Sequence, residues 1–170
     1  MARPLLISAS ELLRRPGTER DVNTSVTIAE LDIDDPRLPA DESVEIDLHL
    51  DSMPNGIVVD GAIQVPWVGT CRRCLAPTRG TVTSEIHELY QQNPTDPDAF
   101  PVDGEQIDLR PLVREAALID APATPLCGAD CVGLCPTCGI DRNTERCSCQ
   151  IAPLDDRWSA LDQLRGELPE

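Results

Sequence analysis

Lysine is absent from this chain of 170 residues, and all fourteen basic side chains are arginine. A high-GC genome accounts for such a bias, and its physical corollary is that any anion contact uses a planar guanidinium fork rather than an ammonium point charge. Aromatic residues are almost as scarce: Trp67, Tyr90, Phe100 and Trp158 are all there are, so the core must be mostly aliphatic. No stretch approaches the roughly 20 apolar residues of a membrane span, and neither end carries a lipidation motif, so no membrane partner is expected. Residues 1–15 are too polar for a signal peptide, which points to a reducing cytoplasm. A nucleophile–base grouping, a phosphate-binding glycine loop and a dinucleotide fingerprint are all missing, so neither an enzyme nor a small-molecule substrate is expected.

Basic charge is in deficit as well. Thirty acidic residues stand against fourteen basic ones, a formal charge of −16, which repels phosphate backbones at long range and attracts basic proteins. Paired carboxylates such as Asp34-Asp35 and Asp155-Asp156 are ordinary in so acidic a chain and read as solvated faces or helix caps.

What the chain does have is eight cysteines in four close pairs: Cys71 and Cys74, Cys127 and Cys131, Cys135 and Cys138, Cys147 and Cys149. Pairs separated by one to three residues let one turn of backbone present two sulfurs to a tetrahedral ion, and eight thiols complete two closed sites. Zinc is the expected metal, as two structural ions; iron in a rubredoxin-like cage fits the same spacing. Two zinc ions on eight thiolates would take the charge to about −20. A redox dithiol would open a helix, whereas Cys71-Arg72-Arg73-Cys74 lies between two strand-like runs.

Cys135-Pro136-Thr137-Cys138-Gly139 is the clearest knuckle: proline restricts the turn and glycine lets backbone amides approach the sulfurs. Eight residues separate Cys138 from Cys147, and the favoured grouping is Cys135, Cys138, Cys147 and Cys149 in one site, with Cys71, Cys74, Cys127 and Cys131 in the other. A ribbon-like pairing of Cys71 and Cys74 with Cys135 and Cys138 is the alternative. Closed spheres leave no open coordination position for catalysis. Arg72, Arg73 and Arg79 at the first knuckle, with Arg142 and Arg146 at the second, either offset thiolate charge or contact a partner or RNA. His49 and His87 read as solvent-facing strand residues.

Along the chain, residues 8–15 read as a short helix with Ser8 and Glu11 at capping-box spacing. Residues 22–31 read as a strand and 36–42 as a loop. Val44, Ile46, Leu48 and Leu50 alternate with Glu45, Asp47 and His49, the pattern of a strand buried on one face. Pro54-Asn55-Gly56 turns the chain into a second extended run, residues 57–68, with a bulge or edge expected at Gly61 or Pro66. Residues 81–90 make a further strand, which places the first cysteine pair at a hairpin tip. Residues 91–106 suit a mobile loop. Asp108 is placed to cap a helix whose Leu109, Leu112, Val113, Ala116 and Ile119 share a face, ended by Pro122 and Pro125. Asp155 begins a terminal helix bearing Trp158, Leu161, Leu164 and Leu168. The expected class is α+β: an antiparallel β-sheet packed by a helix, with a cysteine-rich, metal-stapled C-terminal segment. Residues 1–126 form the α+β domain carrying the first knuckle, and residues 127–170 the zinc-binding segment and C-terminal helix.

Ser10-Glu11-Leu12-Leu13-Arg14-Arg15-Pro16-Gly17, Cys71-Arg72-Arg73-Cys74-Leu75, the helix of residues 108–119, the run from Cys127 to Cys138 with its Gly-Leu-Cys-Pro-Thr-Cys-Gly core, and Arg157-Trp158-Ser159-Ala160-Leu161 together resemble the YceD family. The resemblance covers nearly the whole chain, in order. It implies a role in 23S ribosomal RNA accumulation and large-subunit biogenesis in bacteria and plastids, with genes that often neighbour that of a small zinc-bearing large-subunit protein. Members differ in their later cysteines. With the charge, it implies as partner a basic ribosomal protein of the large subunit or a large-subunit assembly intermediate. Direct contact of arginine-bearing zinc knuckles with ribosomal RNA is the alternative.

Overall fold

Alternation at residues 44–50 seeds the sheet. In the computed structural model, which describes residues 5–94 and 97–149, strand β3 (Ser43–Met53) turns Val44, Ile46, Leu48 and Leu50 inward and Glu45, Asp47 and His49 outward. It pairs antiparallel with β2 (Glu19–Thr27) on one side and β4 (Gly56–Thr70) on the other, and β4 pairs antiparallel with β5 (Pro77–Gln91). A two-residue strand β6 (Phe100–Pro101) completes the order β2-β3-β4-β5-β6, parallel to the end of β5. The fold is α+β, with a largely antiparallel five-stranded sheet packed by a helix.

Register runs unbroken through β3, β4 and β5, so the bulge expected at Gly61 or Pro66 does not form. Gly61 sits at φ +139° opposite Leu48, where a Cβ would lie 2.2 Å from the Asp47 carbonyl oxygen; a close strand approach, not a bulge, requires it. Pro66 lies past the last β3 partner, Gln64, so its missing N–H breaks no ladder bond.

Helix α1 (Ser10–Arg14) is shorter than expected, and Ser8 belongs instead to β1 (Leu6–Ser8), which pairs with β7 (Gln106–Asp108). The expected capping box is absent: Ala9 is the N-cap and no side chain caps it. A capping box does form where a strand was expected to continue. Thr27 and Glu30 exchange side-chain and backbone bonds, turning residues Ile28–Leu31 into a 3-10 turn. The segment 91–106, expected to be a loop, contributes β6 and the start of β7.

Helix α2 (Arg110–Asp120) covers the inner sheet face with Leu112, Val113 and Ala117. Asp108 does not cap it as a side-chain N-cap; its carboxylate takes the Arg110 N–H at 3.0 Å and grips the Arg110 guanidinium. Arg37 closes the other end by donating to the Ala121 carbonyl at 2.6 Å while Asp35 holds its fork at 2.7 Å. Ile119, expected on the buried face, is 70% exposed. No helix among the described residues is long and apolar enough to cross a membrane. The expected C-terminal helix from Asp155 lies outside the described residues.

Candidate metal centres

The β4–β5 hairpin ends in a tight turn at Cys71–Cys74. The Cys71 N–H donates to the Ala76 carbonyl at 2.8 Å and Leu75 N–H returns to the Cys71 carbonyl at 2.9 Å, with Leu75 itself at φ +62°. After α2 the chain comes back beside this tip: the Arg72 N–H donates to the Pro125 carbonyl at 3.0 Å, and Pro125 stacks under Gly69. Cys127 and Cys131 thereby reach Cys71 and Cys74, and the ligand atoms of the four lie within 4.8 Å of one another. Cys135, Cys138, Cys147 and Cys149 form a second such group. Cys71 and Cys74 are not grouped with Cys135 and Cys138.

The spacing fits a metal and no disulfide. Cys71 Sγ lies 3.8 Å from Cys131 Sγ, and Cys74 Sγ 3.6 Å from Cys127 Sγ. Sulfurs about 2.3 Å from a central zinc define a tetrahedron with edges of about 3.8 Å, whereas a disulfide brings sulfurs to about 2.05 Å. All eight cysteines are free thiols.

Proton affinities within each group diverge. Backbone N–H groups, first that of Cys74, hold Cys71 down to about 6, and the amides of Cys138 and Thr137 do the same for Cys135. Cys127 is pushed up to about 12 by sharing with Cys131 first and then Cys74, and Cys149 to about 12 by Cys138. Crowded sulfurs oppose each other's ionisation, and a divalent cation removes that opposition. The donor set suits a metal ion on chemistry as well as on distance.

The two groups are tied to one another. Gly133 at φ +77° passes so close to the first knuckle that a Cβ would lie 2.9 Å from the Arg73 carbonyl oxygen; the next residue, Leu134, donates its N–H to that carbonyl at 3.0 Å. Asn143, inside the second knuckle's loop, accepts from the Val132 N–H at 2.8 Å and turns its amide nitrogen to Cys131 Sγ at 3.5 Å. Asp141 holds that amide at 2.6 Å. Asn143 and Asp141 escaped the sequence reading because an Asn-containing loop carries no spacing signal. Only the fold brings Asn143 to a sulfur of the other group.

Of the candidate arginines, Arg73 is committed to structure, donating to the Cys131 carbonyl at 2.9 Å and the Ala129 carbonyl at 3.4 Å. Among the described residues no guanidinium bonds a sulfur. Arg72, Arg79, Arg142 and Arg146 are exposed. His49 and His87 are remote from both groups in the fold, on the outer sheet face, where cross-strand Asp21 and Asp60 bind them. Those carboxylates hold both imidazoles above the ordinary histidine value.

A family model described as large ribosomal RNA subunit accumulation protein YceD matches residues 59–165. An uncharacterized protein of Mycobacterium tuberculosis is 32% identical over 98% of this chain and 88% of its own length. One from Mycobacterium leprae is 30% identical over 98% of this chain and 81% of its own. The chloroplastic large ribosomal RNA subunit accumulation protein YCED homolog 1 of Arabidopsis thaliana is 27% identical over 42% of this chain and 22% of that protein. No solved structure matches.

Proposed function

This chain belongs to the large ribosomal RNA subunit accumulation protein YceD family, and from that premise we propose that it is a non-enzymatic, cytoplasmic ribosome-biogenesis factor. It supports 23S ribosomal RNA accumulation by binding a basic large-subunit protein or assembly intermediate. The observation that carries this mode of action is the outer face of the sheet. Asp21, Glu45, Asp47, Asp51, Asp60 and Glu85 stand there on adjacent strands, with His49 and His87 set among them and Arg79 on the same face toward the hairpin tip. Such a face attracts a cationic protein and repels bare RNA.

In this reading Cys71, Cys74, Cys127 and Cys131 hold one structural zinc, and Cys135, Cys138, Cys147 and Cys149 a second. Each ion supplies cross-linking of chain segments rather than chemistry on a substrate. Residues 1–126 act as the binding body, and residues 127–170 as the metal-bearing segment. Elemental analysis of the purified protein is expected to return two zinc per chain; one iron per site with thiolate charge-transfer absorption would replace zinc in the proposal.

The functional test is capture of partners by the tagged full chain from its host, with protein and RNA identified in one eluate. A basic large-subunit protein or a precursor particle is expected, recovered better at low salt than at high salt. Recovery of neither, or recovery indifferent to salt, overturns the proposal. The exposed Arg72, Arg142 and Arg146 at the cysteine end support the second reading, direct RNA contact. It requires a salt slope of several phosphates on naked large-subunit RNA that R72A/R142A reduces.

A further inference from the structure

The outer edge of β5 is unfinished. β6 pairs with Tyr90 and Gln91 alone, and the Gln91 carbonyl accepts from the Val102 N–H at 2.9 Å. Because β5 keeps one register with β4 throughout, residues in step with Gln91 turn their N–H and C=O the same way. Those are Leu89, His87, Glu85 and Thr83; the bridge of Tyr90 to Phe100 engages the Leu89 carbonyl, and among the described residues nothing pairs with the outward backbone groups of His87, Glu85 and Thr83. An open strand edge of this length is a template for another chain.

Beside that edge runs a groove of about 650 Å³ between β5 and α2. Its apolar surface comes from Ile86, Phe100, Leu112, Ala116 and Ile119, the last 70% exposed. Glu88, Asp98, Glu115 and Asp120 line it, and none of its lining residues is basic. The two arginines of α2 are engaged elsewhere, Arg110 by Asp108 and Arg114 toward the Leu31 carbonyl at 3.4 Å. Glu88, on the inner side of the strand opposite Val59, is held above the usual carboxylate range by burial first and by the Glu115 charge second. A cation entering the groove would offset both.

We propose that the β5 edge from Thr83 to His87 and this groove form a docking site for an extended basic segment of a partner protein, added to the sheet as a sixth strand. Strand addition supplies main-chain hydrogen bonds, and alternate side chains of the added strand enter the groove. An apolar side chain there covers Ile119, and a neighbouring lysine or arginine meets Glu88 and Glu115. This deepens the reading of a basic protein partner and rests on it: the edge is where that partner is gripped.

The test titrates the zinc-loaded, isotope-labelled full chain with a synthetic peptide of alternating lysine and valine. Resonances of residues 83–89 and 110–120 are expected to shift, and the Thr83, Glu85 and His87 amides to gain exchange protection. I119S is expected to weaken binding about tenfold and E88Q/E115Q about fivefold, the latter difference vanishing at high salt. E11Q/D41N, with the same change in charge, should bind as the parent does. Ile119 and Glu115 are exposed, so those changes leave the fold intact, which a thermal melt verifies. No binding, shifts confined to the outer sheet face, or no added protection at the β5 amides overturns the docking site. The same variants in partner capture separate the two proposals. If they retain the basic large-subunit protein as well as the parent does, the docking site fails while the functional reading stands. If the parent captures no such protein yet the peptide binds at the edge, the functional reading fails and the site stands.

Discussion

β3 and β4 bury eight aliphatic side chains, Val44, Ile46, Leu48, Leu50, Ile57, Val59, Ile63 and Val65, in one core shared with α1 and α2; residues 127–149 bury Cys131 and Cys135 and little else that is apolar. The first region removes hydrocarbon from water and is held by area and close packing. Among the described residues the second has half-buried Ala76, Leu126 and Leu134 to pack on its sulfurs, too little to offset the entropy of ordering its turns. One polypeptide thus uses two kinds of cohesion. The first knuckle joins them, because Cys71 and Cys74 are the tip of a core hairpin while Cys127 and Cys131 belong to the poorly packed end.

The contrast breaks most sharply on removal of metal. Chelation is expected to strip hydrogen-exchange protection from residues 127–149 while amides of β3 and β4 stay protected, a local loss on the order of 10 kcal/mol of metal-linked folding free energy. C135S should lower the metal content from two ions to one and confine the damage to the second knuckle. If the sheet melts together with the cysteine end, the two regions are one cooperative unit.

L50A attacks the other side. Leu50 is fully buried, and its truncation should cost about 2–5 kcal/mol in chemical denaturation while metal content stays at two. A smaller effect belongs to N143A, which removes the amide at Cys131 Sγ. The first site is expected to lose about tenfold in metal affinity, read by chelator competition, with the second site less affected. Equal loss at both sites would mean that Asn143 shapes its own loop rather than its neighbour's sulfur.

The smallest effect is in pH. Asp21 raises His49 and Asp60 raises His87 above their unfolded value, so each folded imidazole binds its proton more tightly than the unfolded one. That contribution is complete below the unfolded value near 6.5 and is lost as pH rises through the higher folded values. A slight fall in Tm between pH 6 and pH 8 is expected, reduced in D21N/D60N. Both histidines are on the exposed face, so solvent screening keeps the effect small.

Several of these features could be read without a fold. The alternation at residues 44–50 required a strand with one buried face, and it is β3. Pro54-Asn55-Gly56 required a turn, and β3 and β4 meet there. Elsewhere local signals misled: Ser8 and Glu11 had capping spacing, yet Ser8 is drawn into pairing with Gln106, a partner far along the chain. Thr27 and Glu30 had the same spacing, and there the box formed inside a run of β-formers. Identical local chemistry gave opposite outcomes because the long-range partner decided.

Cysteine number and pair spacing were determined by the sequence alone, since two sulfurs on one turn need only a few residues of backbone. So were the net charge, the aliphatic core and the alternating strand. Tertiary structure alone decided that Asn143 reaches Cys131, that Ile119 stays out of the core, and that β5 from Thr83 to His87 is unpaired on its outer side among the described residues, beside an acidic groove. Each of those depends on where elements distant in sequence come to rest, and neither periodicity nor propensity encodes a distance across the fold.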